Sequence, residues 1–444
     1  MTLIAPTRTL IVGSGGREHA LAWKLASEPG GNEVIVAPGS DAIAEEPRVR
    51  RMAGVDPLDP DAVVAAAQRE SVELVVIGPE APLAAGVADA LRGAGFAVFG
   101  PSAAAARIET SKAFCHEVAD AAGVRMARAG AFRDAMMARA YAAELAANGD
   151  VVVVKADGLA AGKGVAVCDT LDEADRAIDD LFATSPGADP LVVIEERLHG
   201  PEASVIVLTD GRDVVGLPPA RDHKRLLDGD AGPNTGGMGA YSPLADLPDD
   251  AAEMLVDAFH RPILAELARR GAPFRGALYA GLMLTAGGPV LLECNARFGD
   301  PETQAILPRL ATALGPLLLA AARGDLQTAI ARSRFIGSRI PTLPGAAVAI
   351  VLAAAGYPER PRTDDQIAGI DEARATGALV FHAGTRRDPD GTVRTAGGRV
   401  LAVVGRGADL AAARDVASVA ADRISAPGLQ RRHDIAREPV RAAR

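Results

Sequence analysis

Short runs of valine and isoleucine alternate with helix-forming stretches across residues 9–100. The apolar runs cover 9–12, 33–37, 74–77 and 97–99, and the helix-forming stretches cover 19–25, 61–69 and 83–92. Strands that are apolar on both faces and joined by helices are typical of a parallel sheet covered on both sides. The sequence therefore predicts α/β architecture, with an N-terminal doubly wound, Rossmann-like domain over residues 1–124.

The pattern changes beyond a predicted helix at 111–122. Strands at 151–154, 165–168 and 191–195 with a helix at 171–183 predict a small α+β lid unit over 125–198. Two β runs in 203–220, a polar loop at 228–243, a helix at 251–270 and strands at 277–285 and 290–293 predict a central unit over 199–328. A linker near 324–346 leads to a small mixed α/β domain over 329–444, with strands at 347–353, 378–382 and 399–404 and a helix at 409–423.

Composition excludes several classes of function. The net charge is −10 and aromatic residues make up only 3% of the chain, so we expect no nucleic-acid partner. No apolar run reaches the ~18 residues that a membrane span requires, and residues 1–13 do not have the pattern of a signal peptide, so we expect a protein that is neither membrane-spanning nor exported. Cys115, Cys168 and Cys294 have no CxxC spacing and are expected to be reduced thiols, which indicates a cytoplasmic protein.

Lysine is almost absent from this chain, since only five of its 47 basic residues are lysines. Only Lys24 lies on a predicted helix face. The other four, Lys112, Lys155, Lys163 and Lys224, lie in the segments TSKAF, VVKADG, AAGKGV and RDHKR, and three of these segments are rich in glycine or small polar residues, which often surround bound phosphate. An ammonium group is a compact, strongly hydrated point charge that a guanidinium cannot replace. We therefore expect the four lysines to serve one anion-binding site, although mutational bias with random survivors is the alternative.

The segment KADGLAAGKGV, residues 155–165, places Lys163 in a loop with Gly158, Gly162 and Gly164. It is not a Walker A loop, because GKG leads into a strand rather than a helix. A glycine-rich hairpin loop with a lysine can fold over a triphosphate and donate backbone N–H groups to it. A plain surface hairpin is the alternative.

The first glycine-rich turn, VGSGGREHA, joins a strand to a helix. Its spacing is not the dinucleotide fingerprint, because Glu18 stands where the last glycine would be. Backbone N–H groups at a helix start can hold an anion. We expect a phosphorylated or small anionic substrate here, with a structural tight turn as the alternative; the residues concerned are Gly13, Gly15, Gly16, Arg17 and Glu18.

Two later strand ends carry carboxylates. Glu293 and Asn295 point to the same face of one strand, a pair of oxygens that suits a hard cation such as Mg²⁺. Arg297 lies on that face and can neutralise a phosphoryl group during transfer. Glu195, Glu196 and Glu202 cluster at the other strand end and can accept hydrogen bonds from a nucleoside, or can simply be solvated.

These motifs, in this order, resemble the ATP-grasp superfamily. The longer strings GSGGREHALAWKL, IGPEAPLAAGVADAL, KADGLAAGKGV, GPNTGGMGAYSP and RFGDPETQ resemble its glycinamide ribonucleotide synthetase family, the phosphoribosylamine–glycine ligases, and the likeness extends over about residues 9–434. That resemblance implies an ATP-dependent carbon–nitrogen ligase of purine biosynthesis. It would join glycine to 5-phosphoribosylamine through glycyl phosphate, with Mg²⁺ or Mn²⁺. We expect a monomer whose partners are small molecules.

The resemblance also implies residue roles. ATP would be held by Lys112, Lys155, Gly158, Gly162, Lys163, Gly164, Glu195, Glu196, Leu198 and Glu202, and the metal by Glu293 and Asn295. Catalysis would fall to Arg297 and Lys224, and the glycine and phosphoribosylamine side to Asp222, Asp300 and the turn at 13–18. Another ATP-grasp ligase, such as a carboxylase acting on an aminoimidazole ribonucleotide, and a regulatory nucleotide-binding protein without turnover stay open as alternatives.

Three segments depart from the family pattern. Residues 38–46 differ from the usual substrate-facing turn, residues 331–346 look lengthened, and Pro201 replaces a common acidic residue. Contact with the ribose is therefore expected from Glu202 alone.

Overall fold

The computed structural model describes residues 4–147, 151–159, 164–184, 190–333, 335 and 337–437. The predicted loop residues Gly162 and Lys163 lie outside them. No helix in these ranges has the length and apolar character needed to cross a bilayer. Cys115, Cys168 and Cys294 are free and buried, and burial raises the pKa of the Cys168 thiol to about 11.

The N-terminal region is a parallel sheet, as predicted, but it has five strands rather than the predicted four. Its elements are β1 (Arg8–Gly13), α1 (Gly16–Ser27), β2 (Glu33–Pro38), β3 (Val49–Arg51), α2 (Pro60–Arg69), β4 (Leu74–Ile77), α3 (Glu80–Ala84), α4 (Val87–Gly93), β5 (Val98–Phe99) and α5 (Ala103–Thr110). The strand order is β3-β2-β1-β4-β5, and every adjacent pair is parallel. The apolar strands are buried because helices cover the sheet on both faces.

One predicted helix is broken in the structure. The stretch at 83–92 is divided between α3 and α4 because Gly86 has a φ of +81°, in the left-handed region. A residue in that conformation cannot continue an α-helix, whereas glycine adopts it without a steric penalty. The strand β3 was not predicted at all.

The next region forms a four-stranded antiparallel sheet with two covering helices. It contains α6 (Lys112–Ala121), β6 (Ala129–Phe132), α7 (Ala135–Ala146), β7 (Val152–Ala156), β8 (Val165–Val167), α8 (Leu171–Thr184) and β9 (Val192–Glu196). The order is β6-β9-β7-β8. The helix α6 begins at Lys112 because the Ser111 hydroxyl accepts a hydrogen bond from the Phe114 N–H, at 3.1 Å. The sequence did not predict β6 and α7.

The central region contributes a second four-stranded sheet, of order β11-β10-β16-β17. Its elements are β10 (Glu202–Thr209), β11 (Val214–Gly216), β12 (Arg221–Asp222), β13 (Arg225–Leu227), β14 (Ala231–Asn234), β15 (Gly239–Ser242), α9 (Asp249–Leu255), α10 (Arg261–Arg269), β16 (Gly276–Thr285), β17 (Gly288–Asn295), α11 (Glu302–Ile306), α12 (Gly315–Arg323) and α13 (Leu326–Arg332). A π-helical turn, Val256–His260, connects α9 to α10. The segment predicted as a loop at 228–243 therefore contains two strands, β14 and β15.

The C-terminal region contains β18 (Ala346–Ala353), β19 (Gln366–Ile367), α14 (Ile370–Arg374), β20 (Leu379–His382), β21 (Thr385–Arg387), β22 (Val393–Thr395), β23 (Arg399–Gly407) and α15 (Leu410–Ala421). Its main sheet has the order β12-β15-β18-β23-β20, so two of its strands come from the central region. The C-terminal region does not complete its sheet alone, because β15 pairs with β18. The boundaries at 124, 198 and 328 stay predictions.

Candidate active site

A cavity of about 1520 Å³ opens between the lid sheet (β6, β9, β7 and β8) and the central sheet, and we call it the cleft. Predicted site residues that line it are Lys112, Lys155, Gly158, Gly164, Glu195, Glu196, Leu198, Glu202, Asp222, Lys224, Glu293, Asn295, Arg297 and Asp300. These positions span nearly 190 residues of sequence, and the two sheets bring them together. The turn at 13–18 does not line the cleft in the described part of the chain.

Lys155 is buried near the end of β7, and a carboxylate on a neighbouring strand balances its charge. Its Nζ is 2.7 Å from Oε2 of Glu195 on the neighbouring strand β9. The other oxygen of Glu195 lies 3.0 Å from Nε2 of His116. Burial raises the pKa of the Glu195 carboxyl, but Lys155 and His116 more than offset this and hold the pKa below its usual range. Glu195 therefore fixes the ammonium of Lys155 in one place.

Lys112 is the first residue of α6 and enters the same cleft. Its Nζ donates to the carbonyl oxygen of Gly158, at 3.0 Å. Asp157 accepts hydrogen bonds from the Ser111 hydroxyl and the Ala113 N–H, which ties the start of α6 to the end of β7. Burial and the nearby Lys155 charge lower the pKa of Lys112. Two ammonium groups and a helix N-terminus thus face one anion-attracting region.

The remaining predicted nucleotide contacts lie along β9 and beyond it. The side chain of Glu196 turns away from Glu195 and accepts hydrogen bonds from the backbone N–H and the Nε of Arg128, at 2.9 and 2.8 Å. Leu198 lines the cleft. Glu202, at the start of β10, lies 2.7 Å from Nζ of Lys224. Adjacent β9 residues point to opposite faces, so Glu195 and Glu196 have different partners.

Glu293 and Asn295 lie on one face at the end of β17. The Asn295 Nδ2 is 3.5 Å from Oε1 of Glu293. The Glu293 side chain is 43% exposed to the cleft. Burial raises its pKa, but the cations Lys224, Lys155, Arg297 and Lys112 together hold the pKa below its usual range. An ionised carboxylate and an amide oxygen that face an open cavity fit a hard divalent cation.

Arg297 is anchored rather than free. Its Nη2 is 2.9 Å from Oε1 of Glu109 and its Nε is 3.4 Å from Oε2 of Glu80. Burial lowers the pKa of Arg297, but the two carboxylates reverse the effect and raise it. Glu109 also accepts a hydrogen bond from the Ala296 N–H, at 2.7 Å. The guanidinium therefore stays charged and is held on the cleft wall.

Lys224 and Asp222 form the opposite wall. The Nζ of Lys224 contacts Glu202 and lies 3.9 Å from Oε1 of Glu293. Burial raises the pKa of Asp222 to about 8 against the opposing charge of Lys224, and the nearby carboxylates of Glu302 and Glu202 add to the rise. Burial lowers the pKa of Lys224, but Glu202, Asp222 and Glu293 more than offset this and raise it. This wall therefore carries a carboxyl that titrates near neutral pH.

In the glycine-rich turn, the Glu18 side chain makes local hydrogen bonds. Glu18 is 2% exposed and turns back, so that Oε2 accepts from the Gly15 N–H and Oε1 from Arg17 Nε, both at 2.6 Å. A Cβ on Gly78 would lie 2.1 Å from Oε1 of Glu18, so that position has to be glycine. Glu18 lies in α1, and its carboxylate caps the start of that helix, so the Gly15 N–H already has a hydrogen-bond acceptor.

Asp300 connects this turn to the cleft. Its Oδ2 is 2.8 Å from Nη2 of Arg399, and its Oδ1 accepts from Gln304 Nε2 at 2.7 Å. A Cβ on Gly15 would lie 3.9 Å from Oδ2 of Asp300. Burial raises the pKa of Asp300, but Arg399 and Arg17 hold it below its usual range. Asp300 is thus an ionised group between the turn and the cleft.

Sequence reasoning missed several functional neighbours. Arg297 is oriented by Glu80 and Glu109. Glu195 is oriented by His116, and Asp300 by Arg399. The sequence did hold an indication for Glu80, because it lies in the GPEAP turn directly after a strand, where open sheets bind ligands. The others lie on helices or strands whose local pattern gives no such indication.

Three family models match the chain in succession. They describe the N domain, the ATP-grasp (A) domain and the C domain of phosphoribosylglycinamide synthetase, over residues 7–109, 110–303 and 347–438. The chain belongs to the phosphoribosylglycinamide synthetase family. The ATP-grasp model covers both cleft walls, and the three models agree with an ATP-grasp architecture flanked by N and C domains.

Relatives in the phosphoribosylglycinamide synthetase family align over almost the whole chain. Proteins named phosphoribosylamine–glycine ligase are 50% identical over 432 residues in Streptomyces coelicolor and 48% identical over 431 residues in Leifsonia xyli. Each alignment covers 97% of this chain; it covers 98% of the Streptomyces coelicolor protein and 99% of the Leifsonia xyli protein. The crystal structure of phosphoribosylamine–glycine ligase from Thermotoga maritima is 33% identical, with a TM-score of 0.79 and coverage of 97% of this chain and 100% of its own.

Proposed function

We propose that this protein joins glycine to 5-phosphoribosylamine and converts ATP to ADP and phosphate, giving glycinamide ribonucleotide in purine biosynthesis. Family membership over three successive models supports this, as do relatives named for that ligation that align along nearly the full chain. The observation that carries the proposal is the meeting of Lys112, Lys155, Glu293 and Asn295 in one cleft.

The reaction needs activation because a carboxylate oxygen is a poor leaving group. Transfer of the γ-phosphoryl group of ATP to the glycine carboxylate gives glycyl phosphate. The amine of 5-phosphoribosylamine then attacks the acyl carbon, loses a proton and expels inorganic phosphate. Since an acyl phosphate hydrolyses readily, water has to be excluded, and we propose that residues 228–236, which border the cleft, help to cover it.

The nucleotide is proposed to bind along the lid sheet. Lys112, Lys155, Gly158 and Gly164 line this part of the cleft and would face the triphosphate. The predicted contacts of Gly162 and Lys163 lie outside the described residues. The adenine ring would meet Glu195, Glu196 and Leu198, and the ribose would meet Glu202. Because the Glu195 carboxylate contacts both Lys155 and His116, we assign it the further role of orienting that lysine.

Glu293 and Asn295 are proposed to hold Mg²⁺, or Mn²⁺ in its place. The ion would supply charge neutralisation for the phosphate oxygens during transfer. Arg297 adds a fixed positive charge on the same wall, because Glu80 and Glu109 hold its guanidinium. A preorganised charge stabilises the transferring phosphoryl group without reorganisation at the moment of reaction.

The acceptor side is proposed to lie against Asp222, Lys224 and Asp300. Burial raises the pKa of the Asp222 carboxyl to about 8, so this group is mostly protonated at neutral pH and can exchange its proton in that range. Lys224 keeps its charge beside the site of phosphoryl transfer. The turn from Gly13 to Gly16 with Arg17 and Glu18 borders Asp300 and is proposed to meet the sugar phosphate through its N–H groups other than that of Gly15.

We further propose that the protein is a monomer and is located in the cytoplasm. The free, buried thiols are consistent with a reducing compartment. Sedimentation of the purified protein at two concentrations tests the monomer, since a self-associating chain would sediment faster at the higher one.

The function is tested by ADP release from the purified protein with ATP, Mg²⁺, glycine and freshly prepared 5-phosphoribosylamine. We expect turnover that requires both co-substrates and a product that contains glycine. Turnover that requires bicarbonate would instead indicate a carboxylase, and MgATP binding without turnover would indicate a regulatory nucleotide-binding protein.

A further inference from the structure

Arg432 is a completely enclosed guanidinium far from the cleft-lining motifs in sequence. It follows α15 near the C-terminus and is 1% exposed, as the largest fully buried side chain among the described residues. Asp434 receives two of its hydrogen bonds in a fork, from Nε at 2.7 Å and from Nη2 at 2.6 Å. A buried charge held in this manner fixes the geometry of whatever it contacts.

The remaining donors of Arg432 reach a hairpin formed by β13 and β14. Its Nη1 donates to Oδ1 of Asp230 at 2.6 Å and to the carbonyl oxygen of Arg225 at 3.2 Å. Arg432 therefore contacts both the tip and the base of this hairpin.

Two neighbours of Arg432 hold the same tip. The Gly229 N–H donates to Oδ2 of Asp434 at 2.8 Å, and the His433 N–H donates to Oδ1 of Asp228 at 2.7 Å. Three consecutive C-terminal residues thus contact three consecutive hairpin residues. We call the contacts of Arg432, His433 and Asp434 with residues 225–230 the clamp.

The hairpin has a few other contacts: Leu226 packs with Met238 and Ala353 near its base, and Asp230 lies 3.8 Å from Nδ1 of His223. Its strands pair only at Arg225 with Asn234 and at Leu227 with Ala231, and residues 227–233 are exposed. A two-stranded hairpin is marginally stable in water without packing against other structure. The clamp therefore supplies tertiary contacts that hold the exposed tip of this hairpin in one position.

That position matters because the hairpin borders the cleft. Asp230 and Asn234 line it, and Lys224 directly precedes β13. The carbonyl oxygen of Lys224 accepts from the N–H and the hydroxyl of Thr235, at 2.7 and 2.8 Å, across the base of the hairpin. A displaced hairpin would consequently move the backbone that carries Lys224.

We propose that Arg432 is a positioning residue for the ligation, acting through the clamp on Lys224 and on the acceptor wall of the cleft. The proposal rests on the proposed function of that cleft. Lys112 and Lys155 are held by other elements, through Gly158 and Glu195. Loss of the clamp should therefore impair use of the acceptor substrates more than nucleotide binding, which it reaches through the contact of Lys224 with Glu202.

The test compares Arg432→Lys and Arg432→Gln with the matched control Arg431→Gln. Arg431 is the neighbouring arginine, but its partner is Asp422 beyond the end of α15 rather than the hairpin. Lysine keeps the charge at 432 but cannot bridge Asp230 and Asp434 as a fork does. Three measurements are made on each full-length variant: steady-state kinetics for glycine and 5-phosphoribosylamine, MgADP affinity by calorimetry, and proteinase K cleavage within residues 227–233.

For Arg432→Lys we expect kcat/KM for the acceptor substrates to fall by about tenfold or more, with a smaller loss of MgADP affinity and faster cleavage of the hairpin. The control should match the wild type in all three measurements. Wild-type kinetics and cleavage in Arg432→Lys would overturn the proposal, and so would an equal loss of MgADP affinity. If Arg432→Gln does not fold, Arg432→Lys carries the test alone.

The cleavage measurement separates this proposal from the proposed function. If the wild type does not turn over these substrates, the function fails, and the hairpin can still be shown to depend on the clamp. If the wild type is active and Arg432→Lys is unchanged, only the positioning role fails.

Discussion

The Nζ of Lys155 lies 2.7 Å from Oε2 of Glu195, and both side chains are buried beside the nucleotide side of the cleft. The two residues come from neighbouring antiparallel strands, β7 and β9, separated by forty positions in sequence. Because the second oxygen of Glu195 contacts His116, the pair has a single geometry. The ammonium of Lys155 is therefore placed before any phosphate binds.

Replacing Lys155 with arginine should impair turnover although the charge is kept. A planar fork is larger than an ammonium and cannot occupy the same buried position next to Glu195. Misplacement of a positioning charge by about 1 Å costs about a hundredfold in rate, so we expect that order of loss in kcat/KM.

The matched control for this substitution is Lys24→Arg, since Lys24 lies on α1 and donates to the Leu310 carbonyl outside the cleft. It should retain the wild-type rate. Equal rates for the two arginine variants would show that Lys155 has no special role.

Glu293→Gln should raise the concentration of Mg²⁺ needed for half-maximal activity. The amide keeps the size of the side chain but loses the charge that the surrounding cations hold ionised. Loss of even an outer-shell partner typically costs 10–100-fold in metal affinity, so we expect a shift of at least ~10-fold. Glu70→Gln, directly after α2 and paired with Arg50 of β3, is the control, and an unchanged Mg²⁺ titration would remove Glu293 from the metal site.

Glu109→Gln should destabilise the protein strongly. Glu109 is 6% exposed, and it and Glu80 both form ion pairs with the Arg297 guanidinium. Loss of the Glu109 charge therefore leaves the guanidinium with one of these two carboxylate partners. Breaking a buried ion pair costs about 3–5 kcal/mol of unfolding free energy, which urea denaturation would measure.

Glu117→Gln gives the comparison on an exposed surface. Glu117 is 65% exposed and lies 3.7 Å from Arg270, so its loss should cost less than about 1 kcal/mol. Similar effects of the two substitutions would mean that the Arg297 network contributes nothing to stability.

Asp222 should make stability depend on pH. Its pKa is raised from 3.8 to about 8 in the folded protein, chiefly by burial. A raised pKa contributes stability that is present below the unfolded value and is lost as pH rises through the folded value. Asp222→Asn mimics the neutral acid, so its unfolding free energy relative to wild type should increase between about pH 4 and pH 8, by at most about 1.4 kcal/mol per pH unit. A difference that stays constant over this range would show that Asp222 remains ionised.

Gly78→Ala should distort the turn that starts α1. The new Cβ would lie 2.1 Å from Oε1 of Glu18, so the carboxylate would have to leave the N–H of Gly15. Forcing atoms into such a packed position typically costs about 1–3 kcal/mol, which thermal or urea unfolding would detect. Gly93→Ala, where a Cβ meets nothing within 4 Å, should leave stability unchanged or raise it by up to about 1 kcal/mol. Equal stabilities would contradict the close contact.

The elements that sequence predicted well are those with strong local patterns. The strand β4 coincides with the predicted residues 74–77, because four apolar residues are followed by glycine and proline. By contrast, β3 has the sequence VRR and is a strand only because it pairs with β2. In the same way β15 lies in a stretch rich in glycine and small residues and is a strand because β18 offers a partner more than 100 residues away.

The sequence by itself determined the fold class, the family and the chemical groups of the cleft, because lysines, glycines and the Glu293–Asn295 pair stand in short motifs whose spacing is readable. Only the tertiary structure decided which residues hold them: Glu195 against Lys155, Glu109 against Arg297, and Arg432 against the hairpin beside Lys224. The physical reason is that periodicity and motif spacing report interactions within a few residues. The partners that fix a buried charge come from distant segments, which only the packing of the sheets brings within hydrogen-bonding distance.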